Sequence, residues 1–170
     1  MGFSVGSLIG AANNNDVQAN TQNGVSVQPA FALGTVTPMN DGGHAIYVKA
    51  LSELSTCAAC AVYADGTAQM LTTTNAGTCK RVAWAQTSVP SAYFAWLQSG
   101  GNFKGNLAAN CAPNVPLYTT ATAGVLDDAT VSGGAGGLIG GLIATVSISN
   151  ATAVTLLGSF APFVITGAAS

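Results

Sequence analysis

Charged side chains are scarce in this sequence. Its 170 residues include four Lys or Arg and six Asp or Glu, so that 6% of the chain is charged, whereas an ordinary soluble domain has about 25%. The net charge is −2, and no basic stripe is present that could neutralise the phosphates of a nucleic acid. We therefore expect no nucleic-acid partner. Few lysines remain to protect strand edges from pairing with other chains, which favours a protein that works in a permanent assembly.

Groups for acid–base catalysis are also scarce, because the chain has one histidine. His44 follows two glycines and is predicted to be an exposed turn residue. Asp127 and Asp128 are adjacent, so on a strand their side chains would diverge, and Asp127 is better explained as a turn acceptor. Residues 2–6 match the spacing G-x-S-x-G, but a nucleophile elbow needs a strand before the serine, and three residues precede Ser4. The sequence predicts no enzyme, no catalytic residue and no cofactor.

The four cysteines leave several interpretations open. Cys57 and Cys60 form a C-x-x-C pair, whereas Cys79 and Cys111 stand alone. A zinc site of four cysteines normally offers two close pairs, and a redox C-x-x-C motif is expected at a helix start, which is not indicated here. Buried free thiols, disulfides, and a metal or redox centre remain as alternatives. We predict no metal site, and metal binding by these four cysteines is the alternative to that prediction.

Residues 129–170 contain no charged side chain, which raises the question of a membrane span. A spanning helix needs about 20 mainly apolar residues between interfacial anchors. Residues 142–149 instead alternate between apolar residues and Thr or Ser, which is typical of a half-buried strand. The chain also has no Lys or Arg before Lys49, and so it lacks the charged n-region of a secretory signal. We expect no membrane partner.

The aromatic-rich stretch at residues 80–98 is the centre of the predicted fold. Trp84 and Trp96 lie in two runs of period-two alternation that are separated by a turn at Pro90. Such runs predict two antiparallel strands, and aromatic residues paired across them bury a large area and fix the register. We expect both tryptophans in the core; a ligand-binding platform is the alternative.

Short alternating segments recur along the chain and predict about ten strands. Asp65 and Gly66 give a two-residue hairpin signal between two of them, Gly100-Gly101 a turn, and residues 133–141 a glycine-rich bend. No amphipathic helix is indicated. The expected fold is all-β, a compact antiparallel β-barrel or β-sandwich formed by residues 25–170 as a single domain. Besides the strands around Trp84 and Trp96, the predicted strands are residues 31–37, 45–50, 60–64, 67–71, 102–108, 117–120, 142–149, 153–157 and 160–165.

Residues 1–24 differ in texture and are predicted to form an extended or flexible N-terminal arm. They are rich in Gly, Ala and Asn, and Ser and Asn favour local hydrogen bonds over regular ladders. Four apolar residues in the arm would be its anchors if it orders against an adjacent copy or another protein: Phe3, Val5, Leu8 and Ile9. A plain flexible terminus is the alternative.

Three segments, RVAWAQ at residues 81–86, YFAWLQ at residues 93–98 and above all LYTTATAGVLDD at residues 117–128, resemble the head decoration (cement) proteins of tailed bacteriophages and cyanophages. The segment FALGT at residues 31–35 and the Asp-Gly-Gly turn at residues 41–43 fit the same family. The resemblance extends from residue 31 to residue 148 and consists of sequence texture rather than catalytic motifs.

This resemblance implies a β-rich structural virion protein that binds the outer surface of a phage head and stabilises it by bridging capsid subunits. The implied partners are the major capsid protein and further copies of the chain, as a homotrimer. The implied location is the outer surface of the capsid, assembled in the host cytoplasm. The family supplies no active-site residues. The candidate interface residues are the four arm anchors together with Phe31 and Arg81.

Three other functions remain open. A secreted or cell-surface structural subunit, of surface-layer, pilus or spike type, would be indicated by disulfides among the cysteines. A small carbohydrate-binding module would need Trp84 or Trp96 exposed in a groove. A cysteine-based metal or redox protein would need reactive thiols.

Overall fold

The computed structural model of this chain describes residues 17–22, 25–39, 42–79, 81–130 and 137–165. Within these ranges the chain forms strands, turns and loops and contains no helix, hence none with the length and apolar character that crossing a bilayer requires. The strands in chain order are β1 (Val17–Gln18), β2 (Thr21–Gln22), β3 (Val25–Ser26), β4 (Val36–Pro38), β5 (His44–Ala50), β6 (Ala59–Val62), β7 (Thr67–Met70), β8 (Arg81–Trp84), β9 (Phe94–Leu107), β10 (Leu117–Thr119), β11 (Val125–Asp127), β12 (Leu138–Ala144) and β13 (Thr152–Ile165).

Eleven of the strands form one large sheet that closes on itself twice, and β2 and β3 form a separate two-stranded sheet. Hydrogen-bonded neighbours follow the order β11-β10-β12-β13-β9-β8-β6-β7-β5-β4, and the additional pairings β11–β9 and β9–β5 complete two closed circuits. Ring one consists of β5, β7, β6, β8 and β9, and ring two of β9, β13, β12, β10 and β11. The prediction of an all-β fold is therefore confirmed. Closure satisfies the backbone groups that open strand edges would expose, although β5–β7 and β9–β11 are parallel pairs rather than the expected antiparallel ones.

Strand β9 belongs to both rings, and it is longer than the sequence predicted. Gly100-Gly101 predicted a turn followed by a separate strand, but β9 continues through both glycines for 14 residues. It pairs with β5 over residues 94–100 and with β13 over residues 101–107. Gly101 has a φ of 82°, and a Cβ there would lie 2.7 Å from the Cα of Gly43. Glycine is thus required where β9 changes partner, because the left-handed backbone and the close approach both exclude a side chain.

The two tryptophans are buried, as predicted, but they do not pack on each other. Trp84 and Trp96 are 0% and 4% exposed, and β8 pairs with β9 through Trp84 opposite Gln98. The indole of Trp84 lies 4.5 Å from the ring of Phe103, in the core shared with ring two, whereas Trp96 lies 5.0 Å from the ring of Tyr47. The two aromatic side chains therefore stabilise different clusters of the molecule.

Alanine and aliphatic side chains fill ring one, and the rings of Trp84 and Phe103 belong to a second cluster. The cluster that includes Val48, Cys60, Ala83 and Leu97 comes from the strands of ring one. A second cluster joins Trp84 and alanines of β6 to the inner face of ring two. A five-stranded ring has little internal volume, so its inward positions accept small residues and leave the large aromatics to its outer face.

Several strand boundaries differ from those expected. The Asp65-Gly66 hairpin is confirmed, with β6 and β7 on either side and a φ of 78° at Gly66. Of the predicted strand at residues 31–37, β4 begins only at Val36, and residues 31–33 instead pack against a cluster on the outer face of ring one. Residues 153–157 and 160–165 form one strand, β13, rather than two.

The C-terminal glycine-rich segment also differs. The strand predicted at residues 142–149 ends at Ala144, and its first part covers residues 138–141, which were predicted as a bend. Residues 133–136 of that bend lie outside the described residues. Because the strand ends early, Val146 is 50% exposed instead of half-buried in a sheet.

The last residues of the predicted arm belong to the sheet. Val17 and Gln18 pair with Ala95 and Phe94 of β9. The Gln18 side chain donates to the carbonyl of Gln28 over 2.8 Å and accepts from the Ala30 N–H over 3.0 Å. Contacts with residues far along the chain thus order this end of the arm, which local propensity could not predict. Residues 1–16 lie outside the described residues.

Candidate functional site

Phe31, a candidate interface residue, contacts its own chain. Its half-buried ring packs edge-on against Tyr47 and Trp96, with centroid distances of 5.4 and 5.1 Å. The Tyr47 hydroxyl donates to the Gln18 Oε1 over 2.7 Å, and burial raises the pKa of Tyr47 above its ordinary value. These contacts fasten residues 31–39 onto the outer face of ring one. They give Phe31 a role in stability in addition to any role in binding.

Arg81, the other described candidate, is exposed at the first residue of β8. It borders a small depression of about 200 Å³ that Tyr63 and Gly34 also line. The remaining candidates, Phe3, Val5, Leu8 and Ile9, lie outside the described residues. Within the described chain the predicted interface residues are therefore not gathered on one surface element: Phe31 precedes β4, and Arg81 opens β8.

All four cysteines are free thiols, and burial disfavours their ionised form. Cys57, Cys60 and Cys111 are buried and Cys79 is half-buried. Burial raises the pKa of Cys60 to about 12 and also raises the pKa of Cys57 and Cys79 above the ordinary value. The nucleophile and metal ligand is the thiolate, so thiols held in the protonated form are poor at both tasks.

Cys111 lies in a small polar cluster that the sequence did not predict. Its Sγ and the carboxylates of Asp127 and Asp128 lie within 4.8 Å of one another. The two aspartates were expected to diverge as neighbours on a strand. They converge because β11 ends at Asp127 and the chain bends at Asp128, so the alternation of side-chain directions stops between them.

Hydrogen bonds connect the thiol and both carboxylates of this cluster to nearby donors and acceptors. The Cys111 thiol donates to the Asp127 Oδ1 over 3.4 Å, and the Ala112 N–H donates to the Asp128 Oδ2 over 2.8 Å. Asp127 also accepts from the Ala129 N–H over 3.4 Å, as expected for a turn acceptor. Burial, and after it the neighbouring carboxylates, raise the pKa of Cys111 to about 12. The cluster ties the loop after β9 to the end of β11.

The other group considered for catalysis, His44, is placed differently from the expectation. It is the first residue of β5 and is half-buried, whereas an exposed turn position was predicted. The strand begins there because the Met39 N–H bonds the Gly43 carbonyl over 2.8 Å and Pro38 pairs with His44. The cluster of Cys111 with its two aspartates does not include His44.

An apolar groove lies on ring two. It has a volume of about 690 Å³ and is lined by residues 138–143 of β12, by Leu157 and Gly158 of β13, and by the loop at residues 114–116. No charged side chain lines it. Leu157 is 45% exposed there and lies opposite the half-buried Ile143 in the β12–β13 ladder.

A register shift between β12 and β13 lies beside this groove. Gly140 pairs with Phe163, whereas Leu142 pairs with Gly158, so that Gly141 alone stands opposite residues 159–162. Gly141 has a φ of 75°, a conformation that glycine adopts without strain. The register of the β12–β13 ladder therefore shifts between Gly140 and Leu142, both of which line the groove. Two adjacent glycines, Gly140 and Gly141, were the sequence signal for such a bulge.

No protein-family model matches this chain, and no curated protein matches it either.

Proposed function

We propose that this protein is a non-enzymatic structural subunit, specifically a head decoration protein that binds the outer surface of a phage capsid as a homotrimer. The partners are the major capsid protein and two further copies of the chain. Neither a nucleic acid nor a membrane is required. The scarcity of charge carries this proposal, because a body with ten charged residues in 170 has little electrostatic protection against association.

The exposed apolar side chains support the proposal. Leu51, Val146 and Leu157 are 52%, 50% and 45% exposed, and the groove on ring two adds further apolar surface. Exposed apolar surface of this kind is typical of a surface that another protein covers. The closed rings supply a rigid body on which such a surface keeps its shape.

The mechanism is mechanical. A trimer buries part of its uncharged surface between copies and places the rest across the seams between capsid subunits. Specific protein interfaces bury about 1,600 Å² in total, so three such contacts around a three-fold axis would oppose outward expansion of the shell under the pressure of packaged DNA.

Two alternative functions each required a structural feature that the described residues do not have. The carbohydrate-binding module needed an exposed tryptophan, and Trp84 and Trp96 are both buried. The surface-layer, pilus or spike subunit would have been indicated by disulfides, and the four cysteines are free.

The test combines mass measurement with binding to heads. Light scattering of the purified protein is expected to give three times the chain mass of 16.8 kDa. Heads purified from the virus that encodes the chain, stripped of this protein, should regain mechanical and thermal stability when it is added back. A stable monomer that does not sediment with heads would refute the proposal.

Arg81 and Lys104 offer a matched pair for locating the contact, because both are exposed cations on strands of the sheet. Arg81→Ala is expected to weaken attachment to heads without changing the unfolding temperature. Lys104→Ala is the control and should attach as the unmodified protein does. Equal attachment of both variants would remove Arg81 from the proposed interface.

A further inference from the structure

We propose that one end of ring one carries a binding site for a carboxylate group, formed by Arg81 and Tyr63. Both residues line the depression of about 200 Å³ beside the start of β8, and each has a side-chain donor without an acceptor in the described chain. The proposed function gave Arg81 a place in an interface but no chemistry to its partner. The carboxylate site concerns this chain alone and stands whether or not the protein binds a capsid.

The ends of the strands place the depression at the mouth of ring one. Val62 is the last residue of β6, Arg81 is the first residue of β8, and Gly66 directly precedes β7. Because β6 is antiparallel to both β7 and β8, these three residues lie at the same end of the ring. Val62 and Ile46 also belong to the core cluster of ring one, so this core forms part of the lining. The mouths of β-barrels are among the preferred positions of ligand sites.

Arg81 supplies the positive charge of the site. It is the one arginine of the chain, and its side chain is exposed. Within the described chain its guanidinium has neither an ion pair nor a hydrogen bond. A guanidinium presents its N–H donors in a planar fork that matches the two oxygens of a carboxylate. Its place beside a concave surface therefore suits it to hold such a group.

Tyr63 supplies a second donor. Its hydroxyl accepts a hydrogen bond from the Gln69 Nε2, whereas its own proton has no acceptor in the described chain. The N–H groups of the two lining glycines are already bonded, since Gly34 donates to the Tyr47 carbonyl over 2.8 Å and Gly66 to the Tyr63 carbonyl over 3.1 Å. The arginine and tyrosine side chains thus remain as donors, and a carboxylate has enough lone pairs to accept from both.

The size and lining of the depression select a small acid group with one charge. Its volume of about 200 Å³ is below the range of about 300–1,000 Å³ that is typical of pockets for drug-sized ligands, so it suits one side chain or a short acid. Among the described lining residues Arg81 alone is charged, which matches the single charge of a carboxylate. Ile46 and Val62 offer apolar contacts to the methylene groups next to that carboxylate.

Asp65, which lies in the hairpin next to the depression, leaves Arg81 free to bind a ligand. Its Oδ1 accepts from the Thr67 N–H over 2.9 Å and from the Thr67 hydroxyl over 2.7 Å. It does not line the depression and forms no ion pair with Arg81. The acid that is nearest in sequence to the site is therefore held by its own turn.

NMR titration of the full-length, isotope-labelled protein tests the inference. The probes are the α-amide of N-acetylglutamic acid, which carries a side-chain carboxylate, and N-acetylalanine, which carries a terminal one. The α-amide of N-acetylglutamine is the neutral counterpart of the first probe. At constant ionic strength, both acids should shift the backbone signals of Gly34 and Gly66 saturably at millimolar concentration. They should bind about tenfold more tightly than the neutral amide, which is the difference between a charge-assisted and a neutral hydrogen bond.

The outcomes of this titration separate the possible ligands. If the glutamic acid derivative binds more tightly, the natural carboxylate belongs to a side chain; if N-acetylalanine does, it belongs to a chain terminus. The absence of a saturable shift would overturn the inference. Equal shifts from the neutral amide, or from sodium chloride at the same concentration, would overturn it as well, because neither compound contains a carboxylate.

Three variants locate the site, and circular dichroism checks that each one folds. Arg81→Gln removes the charge and is expected to weaken binding of the glutamic acid derivative about tenfold. Tyr63→Phe removes only the hydroxyl and is expected to weaken it about fivefold. Lys104→Gln is the control, because Lys104 is an exposed cation that does not line the depression, and it should leave the affinity unchanged. Equal affinities of the Arg81→Gln and Lys104→Gln variants, or unchanged binding in Tyr63→Phe, would overturn the proposed site.

Discussion

Trp84 combines complete burial with an unpaired polar atom, and this combination allows a quantitative prediction. The side chain is 0% exposed, and its Nε1 has no hydrogen-bond partner. A Cβ at Gly105 would lie 3.0 Å from that nitrogen, so the backbone of β9 encloses it closely. Replacement by phenylalanine removes the N–H and keeps an aromatic ring against Phe103.

Two opposing contributions determine how much Trp84→Phe changes the free energy of unfolding. Trp84→Phe removes apolar area equivalent to two or three methylene groups, which costs about 2 kcal/mol at about 0.8 kcal/mol each. Removal of a buried unpaired N–H recovers about 1–3 kcal/mol, so the net change in the free energy of unfolding is expected to be within about 1 kcal/mol of zero. Trp84→Ala loses the packing as well and is expected to cost about 3–5 kcal/mol.

Trp96→Phe is the matched control. Trp96 retains 4% exposure, and its Nε1 is not among the buried unpaired atoms of the described chain. Because Trp96→Phe removes no buried unpaired N–H, nothing offsets the lost apolar area, and this variant is expected to lower the free energy of unfolding by about 2 kcal/mol. Trp96→Ala is expected to cost about 3–5 kcal/mol, as at Trp84. In the unmodified protein, both indoles should have blue-shifted fluorescence that iodide quenches poorly.

Urea unfolding of the four variants, followed by circular dichroism, measures these differences. The prediction requires Trp84→Phe to be more stable than Trp96→Phe by about 1–3 kcal/mol, the size of the recovered N–H term. Equal destabilisation would refute the reasoning. It would mean that the Trp84 N–H is satisfied in the native state, for example by the face of the Phe103 ring 4.5 Å away.

Two further predictions concern a glycine and a thiol. Gly66→Ala is expected to lower the free energy of unfolding by about 2–5 kcal/mol, because the φ is 78° and a Cβ would lie 2.5 Å from that of Leu33, so that positive φ and overpacking act together. Gly34→Ala is the control, because Gly34 has a φ of 82° but open space around it, and it should cost only about 1–2 kcal/mol. Urea unfolding measures both values. The Cys60 pKa rises from 9.0 unfolded to about 12 folded, so its contribution to stability is present below pH 9 and is lost above it by up to about 1.4 kcal/mol per pH unit. Unfolding midpoints from pH 8 to 11 should fall less steeply for Cys60→Ala, and identical slopes would contradict this.

The sequence predicted local features of the fold well where a local pattern determines the structure. The Asp65-Gly66 hairpin follows from two residues whose backbone preferences select the turn, and the burial of Trp84 follows from period-two alternation. The two closed rings could not be predicted in the same way. They depend on β9 changing partner at Gly101, and a glycine pair signals a turn as readily as a continued strand that must pass close to another backbone.

The candidate surfaces also depend on contacts that local sequence patterns do not determine. Phe31 and Arg81 were chosen from sequence texture, and the structure places one under an intramolecular aromatic contact and leaves the other exposed. The groove on ring two depends on the register of β12 against β13, which a single sequence does not fix, because either strand could slip by one residue and exchange its faces.

The cluster of Cys111, Asp127 and Asp128 shows why residue spacing alone misjudged a polar site. Adjacent carboxylates diverge on a regular strand, but β11 ends at the first of them. The backbone N–H of Ala112, 2.8 Å from Asp128, then holds the second carboxylate near the thiol, and this partner lies 16 residues away in the chain. Because the strand end and the distant donor act together, neither half of the cluster predicts the other. Burial and, after it, the nearby carboxylates raise the Cys111 pKa, which keeps the thiol in the protonated form that donates to Asp127.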